Sequence, residues 1–214
     1  MFNDRKDAAE KLAKALGKYR NTKALVLGIP RGGAETAYYV AKYLGAEMSL
    51  VVTRKLGYPA DPEAAFGAVA EDGSLYISEA ASQILSTETM NEVLKEQKRE
   101  IQRRIQKLRK GKPLPDFKDR TLIIVDDGIA TGATLFATIM LCKKRMAGKI
   151  VVAAPIAGTE MAEVLERKVD EVIILETPSY FRAVSQGYYD FSDLTDEEAV
   201  AFFEKWERER RAHS

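Results

Sequence analysis

The stretch from Thr121 to Leu135 places an apolar run, two adjacent carboxylates and a turn of small and hydroxylated residues in immediate succession. Leu122–Val125 read as a buried strand, Asp126 and Asp127 stand at its end, Gly128 to Thr134 make the turn, and a helix follows. Backbone N–H groups at a helix N-terminus attract a phosphate. The small residues Gly128, Ala130, Gly132 and Ala133 let that backbone come close to a ligand. Two acids at a strand end can accept hydrogen bonds from neighbouring ribose hydroxyls, so the layout suits a phosphorylated sugar. The plainer reading is a tight turn whose acids cap the helix. Two tandem carboxylates repel each other unless a diol, a metal or hydrogen-bond donors compensate, which favours the sugar site. The Gly-Lys-Ser/Thr ending of a nucleoside-triphosphate loop is missing.

Ile123-Ile124-Val125-Asp126-Asp127-Gly128-Ile129-Ala130-Thr131-Gly132-Ala133-Thr134 resembles the phosphoribosyl-pyrophosphate (PRPP) motif of type I phosphoribosyltransferases. Gly28-Ile29-Pro30-Arg31-Gly32-Gly33 follows an apolar strand and opens a helix, where that family places its pyrophosphate loop. Val51-Val52-Thr53-Arg54-Lys55 is a strand ending in two cations, where the family has basic residues near the diphosphate. The similarity runs from about residue 22 to 190, and the segment from Thr177-Pro178 to Tyr188-Tyr189-Asp190-Phe191 looks like a branch of predicted phosphoribosyltransferases without a settled substrate.

The resemblance implies transfer of a phosphoribosyl group from PRPP to a nitrogen nucleophile, a nucleobase by expectation, with release of pyrophosphate. Asp126 and Asp127 would grip the ribose hydroxyls. Gly128, Ile129, Ala130, Thr131, Gly132, Ala133 and Thr134 would bind the 5-phosphate, through the N–H groups of Ile129 to Thr134 and the two threonine hydroxyls. Pro30, Arg31, Gly32 and Gly33 would receive the pyrophosphate, with Arg54 and Lys55 adding charge toward the leaving group. The family's pyrophosphate loop often carries an unusual cis peptide. Mg²⁺ would be held mainly by the substrate, near Asp126 and Asp127, with no dedicated protein ligands. Tyr180, Phe181, Tyr188, Tyr189 and Phe191 could stack on a flat acceptor, with Ser185 and Asp190 as polar contacts; a hydrophobic cover over the core is the alternative. Where the hypoxanthine-guanine branch has an aspartate, this chain has Ala130, which argues against a 6-oxopurine served by that carboxylate.

The elements that must position these groups alternate strand and helix, which predicts an α/β fold with a mostly parallel, Rossmann-like sheet flanked by helices. A helix is expected over 4–18 with Asn3 as cap, a strand over 23–27, a helix over 33–44 stopped by Gly45, and a strand over 48–53. Gly57 to Pro62 reads as a loop that could close over the site. Short strands are expected at 66–70 and 75–77. Met90, Leu94, Ile101, Ile105 and Leu108 give a helical apolar stripe within a helical insertion at 79–112 on the sheet edge. Further expectations are a helix over 132–147 stopped by Gly148, a strand over 150–154, a helix over 160–168 and a strand over 172–175. A last helix is capped by Thr195 with Glu198. One domain is expected over 1–214, with 177–214 as a cap segment and C-terminal helix.

Lys and Arg number 33 against 32 Asp and Glu, so bulk charge points to no polyanionic partner. No apolar run suits a membrane span and the N-terminus has no apolar signal core, so a cytoplasmic protein is expected. Cys142, the single cysteine, reads as a core residue, and His213, the single histidine, sits too close to the chain end to serve as a base. A homodimer is expected from the resemblance alone. The competing function is a PRPP-binding regulator that contacts RNA or DNA through the basic run 98–112, although such a run is more often the wet face of a helix. A hydrolase or phosphorylase acting on a phosphoribosyl compound is a third reading.

Overall fold

The computed structural model describes residues 1–212; His213 lies outside the described residues. In chain order the elements are α1 (Arg5–Ala15), β1 (Leu25–Gly28), α2 (Gly32–Leu44), β2 (Glu47–Leu50), β3 (Thr53–Tyr58), β4 (Asp61–Ala70) and β5 (Leu75–Ile77). They continue with α3 (Glu79–Ile84), α4 (Thr87–Arg109), β6 (Thr121–Val125), α5 (Ala133–Lys144), β7 (Lys149–Ile156), α6 (Thr159–Glu166), β8 (Glu171–Glu176) and α7 (Asp196–Ala212). A five-stranded sheet runs β2-β1-β6-β7-β8 with every neighbouring pair parallel. β3, β4 and β5 form a separate antiparallel sheet.

The strands of the parallel sheet are near-continuous apolar runs because both faces are covered. Period-two alternation sends Val26, Ile123, Val125, Val151 and Ala153 to the face packed by α1, α2 and α7. Leu25, Leu27, Leu122, Ile124, Ile150 and Val152 go to the other face, against α5 and α6. Cys142 is fully buried in that second layer, and burial pushes its thiol up to about 12.

Several boundaries differ from the sequence reading. The cap of α1 is Asp4, whose carboxylate accepts from the Asp7 N–H, rather than Asn3. The expected strand over 48–53 is two strands: after Leu50 the chain leaves the parallel sheet, and Thr53 starts the antiparallel one. The expected loop over 57–62 is the tip of the β3–β4 hairpin, with Tyr58 registered against Asp61. α5 ends at Lys144 rather than at Gly148, and Met146 takes the left-handed conformation (φ 57°). The helical insertion expected over 79–112 holds two helices, α3 and α4. Gly45 ends α2 with φ 64°, and the Thr195–Glu198 capping box is present as expected.

At the far end of the sheet, Glu171 accepts from Tyr19 Oη at 2.6 Å and Lys149 Nζ at 2.9 Å, and pairs with Lys18 at 2.5 Å. Burial opposes its ionisation, but these three donors outweigh it and draw its carboxyl down to about 2. A depressed carboxylate stabilises the fold above its ordinary range and loses that contribution as pH falls through the folded value. Glu171→Gln is therefore expected to lower the melting temperature at neutral pH and to converge on the wild type as pH approaches about 2. Melts across that range check it; a constant offset at every pH would contradict it.

Candidate functional site

Register brings the two loops together. Gly28 pairs with Val125 across β1 and β6, so both strands stop at the same level and their following turns emerge side by side. That is the carboxyl edge of the sheet, where open α/β sheets bind ligands. The first turn is tied by Ile29 N to Val125 O (3.2 Å), and the Pro30–Arg31 peptide bond is cis. The second is tied by Ile129 N to Ile156 O (2.9 Å), which spends the Ile129 N–H and removes it from the donors expected for a phosphate. Gly33 is corrected in the same way: its N–H bonds Ile29 O at 3.1 Å as part of the start of α2. Gly32 N–H at the head of α2, and Ala130 to Thr134 leading into α5, remain as the turn backbone. Gly132 takes φ 71° at the cap of α5.

The acid pair is wedged between these turns. A methyl on Gly32 would overlap Asp127 Oδ2, and one on Gly33 would lie 3.0 Å from Asp126 Oδ1. Only glycine at these two places lets the first turn sit directly against both carboxylates. The two acids are not equivalent. Asp126 is half-buried and its Oδ1 accepts from Asp127 N at 2.9 Å. Burial, and then the neighbouring Asp127 charge, hold its pKa well above the carboxylate range. Asp127 is 9% exposed, and its Oδ2 accepts from Arg5 Nε at 2.7 Å. Tyr188 Oη donates to the Asp127 carbonyl.

Both acids open onto a cavity of about 910 Å³, a size that suits a small-molecule ligand. Pro30, Arg31, Gly32, Arg54, Lys55 and Thr134 line it too, so the structure gathers three separated sequence motifs around one space. Arg31 and Lys55 are exposed to it, while Arg54 is half-buried with its Nε bonded to Gln97 Oε1 at 3.0 Å. Gly128, Ile129, Ala130, Thr131, Gly132, Gly33 and Ala133 lie in the turns beside the cavity and do not line it.

One part of the wall was expected near the site and one was not. The hairpin tip contributes Gly57, Tyr58, Pro59 and Pro62, so the expected lid segment is already part of the wall. α4 contributes Thr89, Glu92, Val93, Glu96, Gln97 and Arg104, so the insertion expected at the sheet edge flanks the site. Glu88, Glu92, Glu96 and Glu100 stand at four-residue steps along α4, but which way that row faces is set by the packing of α4 on β3 and α7, which the sequence does not display.

None of the residues expected for the acceptor lines this cavity. Tyr188 is corrected most clearly: it is 5% exposed, packed in a cluster with Phe2 and Ile156, and its hydroxyl serves the Asp127 main chain. Phe181 is half-buried against that cluster, and Phe191 packs beside Tyr188 with its ring tilted by 37°. Tyr180 is 92% exposed. Asp190 is exposed, with its N–H bonded to Asn3 O. Ser185 and Tyr189 are exposed as well.

The basic run expected as a nucleic-acid contact is largely engaged within the chain. Arg104 pairs with Asp196 at 2.7 Å, Lys107 with Glu197 at 2.8 Å, Lys110 with Glu204 at 2.8 Å, Lys112 with Glu207 at 2.8 Å, and Arg109 with Glu71. These partners, other than Glu71, belong to α7.

Carboxylate oxygens are the hard donors that Mg²⁺ prefers. Asp126 and Asp127 offer such oxygens at the cavity, with the buried Arg5 guanidinium in contact with Asp127. Among the described residues there is no cluster of three His, Cys, Asp or Glu side chains placed to hold a metal. The carboxyl oxygens of Asp126 and Asp127 are suited to an ion whose remaining ligands a substrate would supply. Among the described residues no helix is long and apolar enough to cross a membrane.

Comparison with known proteins gives concordant results. A family model described as the phosphoribosyl transferase domain matches residues 3–191. The chain is 40% identical over 211 residues to a Mycobacterium tuberculosis H37Rv protein named "Putative phosphoribosyl transferase", covering 98% of this chain and 48% of that protein. The counterpart from strain CDC 1551 gives the same figures. The chain thus spans about half the length of the curated relatives it matches. Among solved structures it is similar to TT1426 from Thermus thermophilus, at 36% identity and a TM-score of 0.81, covering 96% of this chain and 98% of that one.

Proposed function

Because the chain belongs to the phosphoribosyl transferase domain family, we propose that it binds PRPP and moves the phosphoribosyl group to a nitrogen nucleophile with release of pyrophosphate. The observation that carries this reading is the level ending of β1 and β6, which sets the first helix-leading turn, the acid pair and Thr134 around one cavity, with the rest of the second turn beside it.

In this reading the turn Ala130–Thr134 and the Thr131 and Thr134 hydroxyls take the 5-phosphate, where the N-terminus of α5 favours negative charge. Asp126 and Asp127 accept from the ribose hydroxyls and hold negative potential beside a ring that becomes positive as its C1 bond breaks. Arg31, Lys55 and Arg54 face the opposite charge, that of the departing diphosphate. Mg²⁺, when bound with the substrate, would neutralise part of the diphosphate charge. The protein's own contribution is positioning, which supplies ~7–11 kcal/mol in favourable systems, together with dipoles already aimed at the developing charges. Tyr180 and Phe181 remain the proposed aromatic surface for the acceptor; Tyr188 leaves that role because packing consumes its ring and hydroxyl. Ala130 offers no carboxylate to handle a ring proton, so an acceptor other than hypoxanthine or guanine is favoured.

Turnover of isotopically labelled PRPP with Mg²⁺ against a panel of nitrogen acceptors tests the reading. Acceptor-dependent pyrophosphate release supports it. Release that continues without any acceptor would favour a hydrolase, and no turnover and no PRPP binding would overturn it. The ion pairs on 98–112 also predict no retention of RNA or DNA on filters even at low salt, where electrostatic binding is strongest. Retention that weakens steeply with salt would instead support the regulatory reading.

A further inference from the structure

We infer that Arg5 is a positioning residue for the site: it fixes Asp127 against the pyrophosphate turn, so that the two loops keep one relative placement. Arg5 sits in the first turn of α1, 122 residues before its partner, and is 7% exposed. A guanidinium this deep is tolerable only when paired and hydrogen-bonded. Its Nε donates to Asp127 Oδ2 at 2.7 Å, its Nη1 donates to Ser192 O at 2.6 Å, and its Cζ lies over the Phe191 ring, 4.0 Å from the centroid. Those three contacts define the guanidinium completely in position and orientation.

The oxygen that Arg5 holds is the one packed against Gly32. The same residue is held at its main chain by the Tyr188 hydroxyl, and Tyr188 is bridged to Phe2, three residues before Arg5. Segments from both ends of the family-matched region thus close on one residue, Arg5 on the Asp127 carboxylate and Tyr188 on its main-chain carbonyl. A strut that merely tied α1 to the segment near Ser192 would need only the carbonyl contact. The Nε contact instead spends a buried charge on a carboxylate that lines the cavity. It also leaves Asp127 Oδ1 outside the Arg5 contact, on a side chain that can no longer swing. A planar fork on a stacked platform sets this geometry in a way that a lysine ammonium does not.

The inference rests on the proposed PRPP binding and is tested beside it by calorimetric titration with PRPP and Mg²⁺. Arg5→Met keeps the volume and removes the fork. It is expected to weaken PRPP by ~10–100-fold, the range for partners that orient a directly contacting group. Arg5→Lys should recover part of that loss. Because Arg5 acts through Asp127, Arg5→Met added to Asp127→Asn should cost less than the two single losses combined. Unchanged affinity in Arg5→Met, or fully additive losses in the double variant, would overturn the inference while leaving PRPP binding intact. If Arg5→Met fails to fold, Arg5→Lys decides: weaker PRPP binding at an unchanged melting temperature supports positioning, and wild-type affinity overturns it. A wild-type protein that does not bind PRPP overturns the functional reading, and this inference with it.

Discussion

Asp126→Asn is expected to weaken PRPP binding and at the same time to make the protein more stable. Replacing one carboxyl acceptor for the ribose hydroxyls leaves a polar group unsatisfied, which costs ~1–3 kcal/mol, so affinity should fall ~10–100-fold. The stability change has the opposite sign. Burial and the Asp127 charge raise the Asp126 pKa, so the folded state disfavours the ionised form at neutral pH. A carboxyl raised on folding favours the folded state below its unfolded pKa and costs stability as pH rises through the folded value. Asparagine removes that cost while its amide oxygen can still accept from the Asp127 N–H, as Asp126 Oδ1 does. Denaturant melts at neutral pH should show a higher midpoint, and calorimetry a weaker PRPP interaction. A variant that binds as tightly as the wild type would remove Asp126 from the site. Asp127→Asn is a poorer probe, because it also weakens the partner of a buried arginine.

The second large effect is expected from Gly32→Ala. The new methyl would fall on Asp127 Oδ2, the oxygen that Arg5 already holds, so neither side of the clash is free to yield. Either the pyrophosphate turn shifts away from the acid pair or the Arg5–Asp127 contact breaks. Overpacking of this kind costs ~1–3 kcal/mol in stability, and a displaced turn should cost PRPP affinity more than ~100-fold, since small misplacements near a reacting centre are expensive. Titration and a melt on the same sample check both numbers. Wild-type affinity would mean that the Gly32 turn is not part of the binding surface. Gly17→Ala is a suitable control, since a methyl there meets nothing within 4 Å.

The parts of this site that were legible in the sequence are those in which local chemistry is the signal. Asp126-Asp127 followed by small residues and Thr-Gly-Ala-Thr announces a phosphate turn because backbone approach and hydroxyls are needed within a few residues of each other. Gly28 to Gly33 is legible for the same reason, and the apolar runs of β1, β6 and β7 announce a sheet covered on both faces. Other parts depend on contacts between distant residues. Arg5 is one of several cations in the first helix, and nothing local marks it as the partner of Asp127. The hairpin tip read as a loop because Gly57 and Pro62 are poor strand residues, yet strand pairing overrides that preference on both sides of the Pro59-Ala60 turn. Val51 and Val52 gave no hint that the chain changes sheets between β2 and β3. The aromatic segment 180–191 read as a stacking surface, whereas Tyr188 and Phe191 instead support the main chain and the arginine behind the acid pair.

The twin roles drawn from Asp126 and Asp127 converge on one measurement, the crystal structure of the protein soaked with PRPP and Mg²⁺. The account predicts the 5-phosphate in the turn Ala130–Thr134, the pentose hydroxyls on the acid pair, and the diphosphate beside Arg31 and Gly32. Density for PRPP elsewhere on the protein, or a cavity that stays empty at saturating ligand, would contradict it.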